Sequence, residues 1–225
     1  FNNFLKIFVG ESGGGDSYVG EQTNALGNHL GSYHLTYDLK KPDYSLKIYY
    51  QSIFEDRSGR ELNNFPDGVW GVMLKPKNGN LIKGILYEYA QTISQSGRHT
   101  FSGGDRYFYN GIYKTGWTYE GRTIGIPFII PNTTRDGIAI NRSIVHHLGF
   151  TGDVGFINYL FKISYVKNLG RYGFPINPAE KAIYTMGQFN YSSFLGDLQL
   201  TLGLDNSNYK NATFGVGMGY HYKFN

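Results

Sequence analysis

The chain's 225 residues include 21 Lys and Arg against 17 Asp and Glu, a net charge of +4 with no basic run of five, so nucleic acid is not an indicated partner. Cysteine is absent, which excludes a disulfide framework and thiolate chemistry. With 31 Gly, 20 Tyr and 16 Phe but little alanine, the composition suits pleated strands, and no apolar run is long enough for a membrane-spanning helix.

The opening FNNFLKIFV (1–9) reads as a first strand. FNNFLKIFVGESGGG lacks the basic and apolar regions of a signal peptide, so a leader has been removed or the chain is a piece of a longer one. A connection at 10–28 leads to strands at 29–38 and 43–52. In the second of these Tyr44, Leu46, Ile48 and Tyr50 alternate with Ser45, Lys47, Tyr49 and Gln51. The connection 53–67 is polar, with Glu55, Asp56, Arg57, Arg60, Glu61, Asn63, Asn64 and Asp67. Strands at 68–76 and 80–92 flank a short KNG turn, and the longest connection, 93–136, follows. Strands at 137–150 and 154–167 come next, the latter setting Ile157, Tyr159, Phe161, Ile163 and Tyr165 against Asn158, Leu160, Lys162 and Ser164. After a connection at 168–179, strands at 180–191, 195–205 and 211–224 complete the chain. The last one puts Phe214, Val216, Met218, Tyr220, Tyr222 and Phe224 on one face and Gly215, Gly217 and Gly219 on the other.

These segments are longer than sandwich strands, which run to about 5–6 residues. Their apolar faces end in aromatic residues, as in strands that cross a membrane in about 9–11 residues. The connections alternate long and short, so every long one falls at the same end of the strands. In hydrocarbon each backbone group must pair internally, which requires closure. The predicted fold is therefore all-β: one antiparallel transmembrane β-barrel domain over 1–225, of about ten strands, with long external loops and both chain ends in the periplasm. A mean hydropathy of −0.36 fits, because only alternate strand residues would face lipid.

Binding chemistry concentrates in two loops, since loops on a rigid scaffold usually carry function. One holds EDRSGRELNN (55–64). The other, 93–136, combines Arg106, Arg122, Arg135, Asp105 and Glu120 with Tyr107, Phe108, Tyr109, Tyr113, Trp117 and Tyr119. Aromatic faces stack on the C–H faces of sugars, while Arg, Asp, Asn and Glu meet hydroxyl or acidic groups. The same aromatics would equally serve as a small core of the loop itself. The carboxylates Glu55, Asp56 and Glu61 are expected to pair with Arg57 and Arg60 rather than to act as a glycosidase pair. His146–His147 with Ser143 is read as structural, near a periplasmic turn and without an acidic orienter. The histidines show no metal-ligand spacing, so no metal and no cofactor is expected.

Four stretches then carry a resemblance: ALGNHLGSYHLTY (25–37), IYYQSIFEDRSGRELNNFPDGVWGVML (48–74), GGDRYFYNGIYKTGWTYEGRTIGIPF (103–128) and NLGRYGFP (168–175). They resemble the Wzi-like capsule assembly family in the form carried by Bacteroidetes-type bacteria. The resemblance implies an outer-membrane barrel that holds capsular polysaccharide or exopolysaccharide at the cell surface, lectin-like and non-enzymatic. Outer-membrane lipid and lipopolysaccharide are the expected surroundings of such a barrel, with envelope proteins as further candidate partners. Polar positions matching the family are Glu55, Asp56, Ser58, Gly59, Asn64, Asp67, Asp105, Tyr107, Trp117, Arg122 and Arg142. Family members are about twice this length, with about 18 strands and a helical periplasmic part, so the chain is expected to be the C-terminal portion of such a barrel. The expected polysaccharide-binding residues are Glu55, Asp56, Arg57, Asn64, Asp105, Tyr107, Trp117 and Arg122. Competing readings are a porin-like channel lined by Lys47, Gln199, Thr201, Asp205 and Lys223, a barrel subunit of a larger envelope complex, and an outer-membrane hydrolase.

Overall fold

A computed structural model describes residues 2–9, 11–22, 26–97, 106–134 and 137–222. The chain opens with helix α1 (Asn2–Val9) and a single 3₁₀ turn, Val19–Glu21. Strands β1 (Gly31–Lys40), β2 (Tyr44–Phe54), β3 (Gly68–Pro76) and β4 (Gly84–Gln91) follow, with the one-turn helix α2 (Arg57–Arg60) between β2 and β3. The long connection holds four short strands: β5 (Thr118–Tyr119), β6 (Arg122–Thr123), β7 (Ile130–Pro131) and β8 (Ile138–Ile140). Strands β9 (Ser143–Val154), β10 (Ile157–Arg171), β11 (Phe174–Ser193), β12 (Gly196–Ser207) and β13 (Thr213–His221) complete it. The nine long strands form one antiparallel sheet in the order β1-β2-β3-β4-β9-β10-β11-β12-β13, with β1 and β13 at its edges.

The register turns period-2 sequence into two chemically distinct walls. Tyr37, Ile48, Val72, Tyr87, Leu148, Ile163, Thr185, Leu204 and Phe214 form one row across all nine strands. Seven of these are apolar or aromatic side chains standing exposed. The neighbouring row on the opposite face is Thr36, Tyr49, Gly71, Glu88, His147, Ser164, Tyr184, Asp205 and Thr213. A shift of one residue would exchange the rows, so the pattern fixes the register firmly. An exposed apolar wall of this breadth marks a surface that meets something other than water, and it has the pattern of a lipid-facing strand face.

Gly71 shows how tightly the polar wall is built. A Cβ there would lie 2.0–2.5 Å from the Tyr49 ring, which crosses β3 to donate its hydroxyl to Glu88 Oε1. Gly71→Val is expected to displace that ring and lower stability by about 1–3 kcal/mol, read by urea unfolding of the refolded protein. Near the loop end the polar wall becomes apolar: Val145, Val166 and Ala182 form a small core with Ala90, capped by Phe128 from the long connection.

Four sequence expectations need correction. Residues 2–9 form a helix: Phe4, Leu5, Ile7 and Phe8 recur at helical spacing, which a short window does not separate from alternation. Ile7 lies beside Gly27, so α1 sits at the loop end of β1 and does not run to the turn end. The strand expected at 137–150 divides in two. Its first part, β8, pairs with β7 inside the long connection, and β9 begins only at Ser143. The loop expected at 168–179 is the tip of a long hairpin, in which Tyr172 and Gly173 join β10 to β11. His146 and His147 consequently lie in the loop-end half of β9, opposite Tyr89 and Glu88. Connections 77–83, 155–156 and 194–195 gather at the end opposite the long loops, but the short Tyr172–Gly173 turn lies at the loop end, so length does not alternate throughout. Lys223, expected on the lumen phase, lies outside the described residues.

Candidate functional site

The site is built around one buried carboxylate. After β2 the chain makes the turn α2, where Asp56 Oδ1 accepts from Ser58 Oγ at 2.7 Å and from Gly59 N–H at 3.1 Å, as a capping residue does at the start of a helix. It then returns to β3 through Asp67 and Gly68. Gly68 has φ +133°, and a Cβ there would lie 2.3 Å from the Gln51 carbonyl oxygen. Glycine is therefore what lets the chain turn tightly enough to send the Asp67 side chain inward.

Asp67 is fully buried and takes five donors. Its Oδ1 accepts from Ile93 N–H at 3.0 Å, Ser94 N–H at 2.9 Å and Gln91 Nε2 at 3.3 Å. Its Oδ2 accepts from Gln95 N–H at 2.8 Å and Tyr107 Oη at 2.8 Å. Burial pushes the Asp67 carboxyl above the usual carboxylate range, against the downward pull of the Gln95, Ser94, Tyr107 and Ile93 donors. Its carbonyl accepts from the Tyr50 hydroxyl at 2.8 Å, and Tyr50 stacks on Trp70 with ring centres 4.1 Å apart. One residue thus fastens the opening loop, the start of the long connection and the aromatic run to the sheet.

Around it, Asn64 Nδ2 donates to the Ile53 carbonyl at 2.9 Å and to Tyr107 Oη at 3.0 Å. Glu55 Oε2 accepts from Phe108 N–H at 2.6 Å. Gln95 Nε2 reaches the Asn141 carbonyl at 3.0 Å, and Asn141 Nδ2 reaches the Tyr107 carbonyl at 3.2 Å. Tyr107, Phe108, Ile129 and Ile138 form a buried core, flanked by Tyr109, Trp117, Leu30, Ile53 and Ile126. The aromatics of the long connection therefore divide. Tyr107 and Phe108 are its core, whereas Tyr113 and Tyr119 face out. Tyr119 and Arg122 flank a two-residue turn, Glu120–Gly121, with φ +48° and +77°. Positive φ at both central residues is what a tight hairpin with the natural strand twist requires. Tyr119 is 72 % exposed, and with Glu120, Arg122, Thr123 and Ile124 it lines a shallow recess.

Of the residues expected to bind ligand, Glu55, Asn64 and Tyr107 point inward and brace the loops. Asp56 caps α2. Trp117 packs half-buried against the loop core, and Arg122 stands exposed beside Tyr119. Asp105 and the Arg57 side chain lie outside the described residues. Asp67, Gln95 and Asn141, which organise the site, were not among the expected ligand residues. Ser143, read from the sequence as structural with His146 and His147, donates its Oγ to Asn168 Oδ1 at 2.8 Å. His147 Nδ1 instead meets Ser164 Oγ at 2.7 Å.

Beneath the loop core, the segment Ile124–Phe128 spans the polar wall and encloses a cavity of about 700 Å³. Its floor includes Gln51, Glu88, His147 and Ser164, and its roof includes Phe108, Ile126 and Phe128.

The family model of the capsule assembly protein Wzi matches residues 1–215, which takes in both loops, the cavity and the sheet up to the start of β13. The chain belongs to the Wzi family. Wzi proteins are non-enzymatic outer-membrane proteins of capsule assembly, which interact with capsular polysaccharide. Neither the curated proteins nor the solved structures yield a match to the chain.

Proposed function

We propose that the chain forms wall and external loops of an outer-membrane β-barrel that binds capsular polysaccharide or exopolysaccharide as a lectin does, without chemistry. The apolar wall meets lipid, including the lipopolysaccharide leaflet, and the loop end faces outward. Family membership supports the polymer as ligand. The observation that carries the surface assignment is the Asp67-fastened module, which holds the Tyr119–Arg122 hairpin outward on a rigid base. A flat aromatic ring beside a guanidinium offers stacking to a sugar face and pairing to an acidic or hydroxyl group. Little ordering cost remains at binding, because the loop is already folded.

The test is binding of purified capsular polysaccharide to the full-length protein in detergent micelles. Replacing Tyr119 and Arg122 together by alanine is expected to weaken binding at least tenfold, or about 1.4 kcal/mol, with unchanged strand content. Undiminished binding by the double variant would remove the hairpin from the site.

A further inference from the structure

The cavity under Ile124–Phe128 has no part in the surface binding described above, yet it has the makings of a ligand site. We propose that it is a second carbohydrate subsite, taking a short uncharged or amino-sugar segment of the same polysaccharide; this rests on the polysaccharide reading of the loop surface. Its volume of about 700 Å³ lies within the range of small-ligand pockets, which also share its pairing of apolar walls with a few polar groups.

The polar groups have hydrogen-bonding capacity left over among the described residues. Glu88 uses Oε1 for the Tyr49 hydroxyl, which leaves Oε2. His147 uses Nδ1 for Ser164 Oγ, which leaves Nε2. Glu88 and His147 are direct cross-strand partners, on strands about 4.8 Å apart, a spacing comparable to the width of one pyranose ring. Opposite them, the half-buried Phe128 supplies aromatic surface of the kind that packs on sugar C–H faces.

Charge decides the sugar class. Among the described lining residues Glu88 is the one carboxylate and none is Lys or Arg. A uronic acid placed there would bring a second carboxylate to Glu88, with no cation among the described lining residues to offset it. A neutral hexose would satisfy the free acceptor and donor positions, and an amino sugar would add a charge-assisted bond. Access follows from Ile124, which lines both this cavity and the surface recess of Tyr119 and Arg122. A chain lying along the hairpin passes over Ile124 to reach the interior.

The experiment is isothermal titration calorimetry on the full-length protein in micelles. The probes are fragments of two to four sugars from partially hydrolysed capsular polysaccharide, separated into neutral or amino-sugar and uronic-acid pools. The neutral and amino pool is expected to bind, the acidic pool at least tenfold more weakly. Glu88→Gln, which keeps the side-chain shape, and His147→Ala are each expected to weaken fragment binding at least tenfold. Equal affinity for both pools, or fragment affinity unchanged in both variants, overturns the proposal. Binding of the intact polymer without uptake of any fragment overturns the cavity alone. Failure of polymer and fragments together overturns the surface reading as well.

Discussion

Replacing Asp67 by alanine is expected to release residues 93–97 and 106–134 from the sheet while the nine long strands stay paired. The reason is the number of donors that lose their partner at once: three main-chain N–H groups, the Tyr107 hydroxyl and the Gln91 amide. A buried donor left unsatisfied costs about 1–3 kcal/mol. With water entering the vacated space, the total is expected near ~3–5 kcal/mol. That loss falls on a unit that can open by itself, so the effect should be local. Limited proteolysis should cut between 106 and 134 in the variant and spare those residues in the wild type, while circular dichroism keeps its β signature. Polysaccharide binding should fall with loop protection, because the hairpin would lose its base. A variant loop as protected as the wild type would show that Asp67 is not the fastening.

Arginine at Leu202 is expected to be far more damaging than arginine at its neighbour Thr201. Leu202 sits mid-strand in β12 on the apolar wall, opposite Gly187 and Val216. Thr201 is on the polar wall, opposite Gln188 and Gly217, where the missing side chain of Gly217 leaves room. A lipid-facing arginine near the bilayer midplane costs about 2–4 kcal/mol, whereas lumen positions are tolerant. Refolding into phosphatidylcholine vesicles followed by urea titration should separate the two variants by roughly that amount. Equal stability of both would mean that the apolar wall does not meet lipid.

The long strands were legible because each has one face of uniform character, and a period of two leaves the register little freedom. Where the sequence misled, the cause was local chemistry overridden by pairing. NLGRYGFPINPA looks like a loop, with its glycines and prolines. Yet Tyr172–Gly173 makes a tight turn, and the register shifts between Asn168 and Gly170. Pro178 falls in the stretch of β11 that this shift leaves out of the ladder, where an absent N–H is tolerated. At the site, the polar residues of the two loops were visible, but their direction was not. Glu55, Asn64 and Tyr107 bond mainly to backbone groups and to one another. Asp67 offered no stronger signal, since three of its five partners are backbone amides 26–28 residues further along. Backbone amides are present at every residue but proline, so no sequence pattern marks them as partners.

The most direct test of the account is the fraction of capsular polysaccharide that stays attached to cells whose only copy of the protein carries Tyr119→Ala and Arg122→Ala. Cell-bound and shed polymer would be measured by the same sugar assay, with the variant matched to wild type in outer-membrane abundance. Loops that hold the polymer predict a marked transfer from the bound to the shed fraction, with total synthesis unchanged. An unchanged bound fraction at equal abundance would contradict polysaccharide retention by this surface.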